Sequence, residues 1–126
     1  MKRTMKTIVI SSLLVLAVLF TANWSVMARV VTYNTPQNWV NWGDVLREFS
    51  RETGIMAPND NKNSGQSLTA LIAEKNRPVC DVVYLGIAFG PQAVKEGVLQ
   101  SYKPAEHDNI DASLKDADGL FTAIHY

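Results

Sequence analysis

Residues 79–85, Val-Cys-Asp-Val-Val-Tyr-Leu, form the most hydrophobic stretch of the chain outside its first 28 residues, and Pro78 and Gly86 close them off. A run this short, rich in β-branched residues and bounded by breakers, predicts a central strand covered on both faces, as in a parallel sheet with helices packed against it.

The segments around it fit that demand. Residues 29–33 read as a short β-prone strand stopped by Asn34-Thr35-Pro36. A helix follows, with Trp39, Trp42, Val45, Leu46 and Phe49 at three- and four-residue steps and Asp44, Arg47, Glu48 and Arg51 opposite them; Trp42, Val45 and Phe49 are its expected buried face and Gly54 its end. Residues 55–57 suggest a second short strand, and residues 58–63 a polar loop. A second helix is expected over residues 64–75, with Asn63 or Ser64 as N-cap, Gln66 three residues after Asn63 as in a capping box, and Leu68, Leu71 and Ile72 as its buried stripe. Pro91 suits the first turn of a short helix ending at Gly97, residues 98–104 are strand or loop, residues 106–119 are polar, and residues 120–126 look like a further strand. Strand and helix alternate, so the expected class is α/β, a mostly parallel sheet flanked by helices with right-handed crossovers. The strand-like end at 120–126, without a closing helix, leads to the expectation that the chain is an N-terminal portion.

The start of the chain fixes the expected compartment. Lys2, Arg3 and Lys6 precede an uncharged apolar run over residues 8–20, and Val26-Met27-Ala28 closes the segment, which is the grammar of a secretory signal peptide cleaved after Ala28. The apolar run is shorter than the roughly 20 residues that span a bilayer core. Of 126 residues, removing the first 28 leaves 98, enough for one domain over residues 29–126. Three of the twelve Lys+Arg and none of the twelve Asp+Glu lie in the removed part, so the remainder carries a net charge of −3, which argues against nucleic acid as a partner. Cys80 is the one cysteine, so no intrachain disulfide can form and the thiol reads as a small buried residue.

In a parallel sheet, ligands bind where strands lead into helices. Three such loops stand out: residues 34–39, 61–66 and 86–89. Asn63-Ser64-Gly65-Gln66 offers side-chain donors and free backbone N–H groups at a helix N-terminus, and it reads equally as an anion site and as plain capping. Trp42 is expected in the core, whereas Trp39 stands between packing and lining a cleft. His107 and His125 do not form a metal-ligand pattern, and Asp81 beside Cys80 reads as a local pairing. No serine elbow, HExxH or phosphate loop occurs, so no catalytic residue, metal or cofactor is assigned and an enzyme is not expected.

Together, the export signal, Val30-Val31-Thr32-Tyr33-Asn34-Thr35, Trp42 and Phe49 on a helix closed by Glu52-Thr53-Gly54-Ile55, Asn63-Ser64-Gly65-Gln66 before Leu71-Ile72-Ala73-Glu74-Lys75, and Asp81-Val82-Val83-Tyr84 resemble the start of a bacterial extracellular solute-binding protein of an ABC importer. The nearest branch is the type II, two-lobe one that includes iron, thiamine, polyamine and phosphonate binders. The resemblance covers the first lobe alone, while the family's ligand lies between two. It implies ligand contacts from Asn34, Thr35 and Trp39, from Asn63, Ser64 and Gly65, and from Gly86 and Phe89. It further implies a periplasmic or secreted protein that captures a small polar or anionic solute and hands it to a membrane permease. The alternative is a sensory, receptor-linked module built on the same lobe.

Overall fold

Thr32 and Tyr33 form strand β1 (Thr32–Tyr33), which pairs in parallel with β2 (Val82–Val83), Thr32 opposite Val82 and Tyr33 opposite Val83. The computed structural model describes residues 27–124; the expected leader up to residue 26 falls outside the described residues, as do His125 and Tyr126. On the other side of β1's approach, Val30 N–H donates to the Met56 carbonyl at 2.8 Å and Met56 N–H to the Ala28 carbonyl at 3.0 Å. Residues 29–33 are thus the middle of three extended segments. The expected strand at 55–57 reduces to the single parallel bridge between Arg29 and Met56.

Helix α1 (Trp42–Thr53) starts later than the apolar spacing suggested, because Val40 (φ 52°) and Asn41 (φ 56°) are both left-handed and turn the chain before Trp42. Gly43 lets residues 36–41 fold across the helix start: its N–H donates to the Gln37 carbonyl at 3.1 Å, and a Cβ there would lie 2.7 Å from Gln37 Cγ. The helix ends at Gly54, whose φ of 71° satisfies the expected glycine terminus. Its buried positions are Gly43 and Leu46, with Trp42 and Phe49 half-buried and Val45 49% exposed, so the predicted inclusion of Val45 in the buried face is corrected. Packing centres on Leu46, one step round the helix, because Ser50 Oγ, while donating to the Leu46 carbonyl, accepts the N–H of Ala57 and draws that side toward residues 55–57.

Helix α2 (Ser64–Ala73) carries the expected capping box: Asn63 Oδ1 accepts from Gln66 N–H and Gln66 Oε1 from Asn63 N–H, each at 2.9 Å. Leu68 and Leu71 are buried, but Ile72 is 41% exposed, a second correction to the predicted stripe. Helix α3 (Gly90–Glu96) has Pro91 in its first turn and ends at left-handed Gly97, as expected.

Two strand expectations change. Residues 79–85 are regular strand only at Val82–Val83, and Val79 and Val82 are each 51% exposed. One edge of β2 is paired with β1 while no described residue pairs the other, so it is an edge strand of the described sheet, not one covered on both faces. Residues 120–124 are not a strand: Thr122 makes one antiparallel bridge to Lys115, and Asp116 Oδ2 accepts from the N–H groups of Asp118 and Leu120 around Gly119 (φ 75°), folding the segment back on itself. Phe121 returns over buried Gly90. The described core is Tyr33, Leu46, Ala57, Leu68, Leu71 and Ala93, with Thr32, Thr35, Ser67 and His107 buried among them. The result is a small α/β unit with a two-stranded parallel sheet, and among the described residues no helix is long and apolar enough to cross a membrane.

Candidate functional site

Because β1 and β2 run parallel, the loops that follow them leave the same end of the sheet. The first residue after β1, Asn34, is left-handed at φ 58°, a conformation that Asn tolerates better than most side chains. Its carboxamide Nδ2 donates to the Tyr84 carbonyl at 2.6 Å, just past β2, and to Ser64 Oγ at 3.2 Å, the first residue of α2. Ser64 Oγ also accepts from the N–H of Gly86 at 2.9 Å. Asn34, Ser64 and Gly86, drawn from the three predicted loops, therefore meet at one hydroxyl oxygen.

Gly65 and Gly86 flank this meeting point. A Cβ on Gly86 would stand 3.6 Å from Ser64 Oγ and 3.8 Å from the Phe89 ring, and one on Gly65 3.9 Å from the same ring. Phe89 thus lies beside both glycines. The other expected contacts are placed differently. Asn63 gives its side chain to the helix cap, which shows the capping reading of that motif and leaves the N–H groups of Ser64 and Gly65 without a donor role toward any described residue. Thr35 is fully buried; its hydroxyl bonds Thr32 Oγ1 at 2.7 Å and accepts from Asp60 N–H at 3.2 Å, bracing the loop from beneath. Trp39 is 58% exposed in the turn before α1, its backbone bonded to Pro36 and Trp42.

A hydroxyl has two acceptor lone pairs and one proton. Both lone pairs of Ser64 Oγ are occupied, by Asn34 and Gly86, so the group can act outward only as a donor. With the free N–H groups of Ser64 and Gly65 beside it, the exposed chemistry of this corner is three donors at the positive end of a ten-residue helix.

Two supporting groups were not legible from the residues. Tyr84 supplies a carbonyl to Asn34, and its ring meets Trp42 edge-on with centroids 5.5 Å apart, which confirms Trp42 as a packing residue behind the loop. Asp60, in the polar loop, accepts from the N–H of Asn34 at 2.9 Å and that of Lys62 at 3.0 Å, while its other oxygen takes the Lys62 ammonium at 2.8 Å. Burial acts to raise its pKa, but the Lys62 ammonium and the two N–H donors outweigh it and hold the carboxyl below the usual range. Lys62 Nζ also stands 3.9 Å from the centre of the Tyr33 ring. Asp81 does not pair locally as expected: it exchanges bonds with the backbone of Val31, 50 residues away, at the approach to β1. Among the described residues no group of three or more His, Cys, Asp or Glu is placed to hold a metal ion.

No family model matches the chain. It is similar to the probable ABC transporter periplasmic-binding protein y4fP of Sinorhizobium fredii (strain NBRC 101917 / NGR234), at 33% identity over 106 residues, which cover 82% of this chain and 29% of that protein. The chain thus spans less than a third of the length of the curated relative it matches.

Proposed function

We propose that this chain forms the first lobe of an exported solute-binding protein of the type II, two-lobe class, which captures a small anionic solute for an ABC-type permease, and that the solute's oxygen atoms sit at Ser64 and Gly65. The observation that carries this reading is the donor-only state of the Ser64 hydroxyl. An oxyanion or carbonyl accepts from it and from two backbone N–H groups at once, whereas an ammonium, as in a polyamine, finds no acceptor among them. Phe89 gives the solute an apolar wall, and Asn34 and Gly86 hold the donor in place. The step is binding without bond making. A charge-assisted hydrogen bond of about 1.5–3 kcal/mol per donor is ample for a reversible carrier. The name of the relative supports the periplasmic and ABC-transporter parts of the reading, and the basic, apolar and small-residue segments of residues 1–28 support export with cleavage after Ala28.

The test is a nuclear magnetic resonance titration of the isotopically labelled chain with inorganic phosphate, sulfate, acetate and spermidine. The anions are expected to shift the amide resonances of Ser64 and Gly65 first, and Ser64→Ala to weaken them about tenfold, the equivalent of about 1.4 kcal/mol. Spermidine shifting those amides while no anion does would overturn the proposal.

A further inference from the structure

We infer that Asp60 is a positioning residue of the Ser64 site, an inference that rests on the reading just given: its carboxylate sets the loop after β1 so that the Asn34 carboxamide occupies a lone pair of Ser64. Asn34 has a left-handed backbone, and the group that receives its N–H in this conformation is Asp60 Oδ2 at 2.9 Å. The same oxygen accepts from Lys62 N–H, Oδ1 takes the Lys62 ammonium, and the N–H of Asp60 donates to Thr35 Oγ1 at 3.2 Å. The side chain of Asp60 therefore ties Asn34 to Lys62, and the backbone N–H of the same residue ties in Thr35. Residues 34–35 and 60–62 are the segments that carry Asn34 and lead into Ser64, whose side chains meet at 3.2 Å.

The chemistry at Asp60 requires a carboxylate. Its oxygens receive two N–H groups and an ammonium, so an amide of the same shape would turn an NH2 toward one of these donors. Release of the Asn34 N–H frees the loop, and with it the carboxamide. Ser64 Oγ then regains an acceptor lone pair and loses its donor-only character, and the bond from the Asn34 carboxamide to the Tyr84 carbonyl is lost. The charged and titratable groups facing Asp60 are Lys62 and the Tyr33 phenol.

Two-dimensional NMR of the full chain tests this without depending on a ligand. On acid titration, the backbone amides of Asn34 and Lys62 are expected to move together with a midpoint below the usual carboxylate range, and the Asn34 side-chain NH2 and the Gly86 amide to follow with the same midpoint. In Asp60→Asn that titration disappears, the Asn34 NH2 and Gly86 resonances sit at new positions at neutral pH, and phosphate binding falls about tenfold, while the amides of α3 stay where they were. An Asn34 NH2 and a Gly86 amide that ignore both the acid titration and the substitution would overturn the inference. If the variant does not fold, the acid titration of the unaltered chain decides alone. Wild-type chain that shows the coupled titration but binds no phosphate would count against the proposed ligand and leave the role of Asp60 standing.

Discussion

Tyr33 donates its hydroxyl proton to Glu74 at 2.8 Å, which binds β1 to the residue that ends α2. Burial first, and then the Glu74 carboxylate, push the phenol up to about 12. The other Glu74 oxygen is buried without a hydrogen-bond partner among the described residues, so the tyrosine is the donor on which that carboxylate depends.

Tyr33→Phe should therefore cost about 1–3 kcal/mol, the penalty for leaving a buried acceptor unmatched. The folded chain holds the phenolic proton more tightly than the unfolded one, so this contribution is intact below pH 10, the ordinary phenol value, and is lost as pH rises from there through about 12. Urea unfolding across that range checks both points. An alkaline loss of equal size in the phenylalanine variant would remove Tyr33 as its source.

Leu46 and Val45 are neighbours in sequence and opposites in burial, 8% against 49% exposed. Leu46→Ala should destabilise by about 2–5 kcal/mol, whereas Val45→Ala should stay within about 0.5 kcal/mol. Denaturant midpoints of the two variants in the reverse order would mean that α1 is rotated by one residue.

Asn63 caps α2 through its side chain, and its replacement by alanine should cost about 0.5–2 kcal/mol. Thermal unfolding measures this. An unchanged midpoint would show that Gln66 or water replaces the cap without loss.

Burial pushes the Cys80 thiol up to about 11, and its Sγ donates to the Val82 carbonyl at 3.2 Å. Alkylation by iodoacetamide at pH 8 should be much slower in the native chain than in urea, because the thiolate is the reactive form. Equal rates in the two states would contradict the burial of this sulfur.

Local signals in this chain were legible and non-local ones were not. The capping box at Asn63 and Gln66 and the left-handed glycines at Gly54 and Gly97 depend on residues a few positions apart, and the structure has each where the spacing put it. The hydrophobicity of residues 79–85 expresses a demand for cover but not where cover comes from, which is why the exposure of Val79 and Val82 went unforeseen. The turn signals Asp116, Asp118 and Gly119 stand in the residues just before the apolar segment and fold it back, so its hydrophobicity alone does not make it a strand. Of the candidate site, strand ends identified Asn34, Ser64 and Gly86. Asp60 and the Tyr84 carbonyl act across separations of 26 and 50 residues, which no periodicity encodes.

Lys75, which follows α2, extends its ammonium 2.6 Å from the carbonyl of Glu96, the last residue of α3, and a side chain on the adjacent Gly97 would stand 3.5 Å from that nitrogen. One cation thus serves as a strut between two helix ends whose carbonyl dipoles both favour positive charge. Acetylation at this lysine would remove the charge, and its effect would be felt as slackening between α2 and α3, far more than as a change in the protein's outer surface.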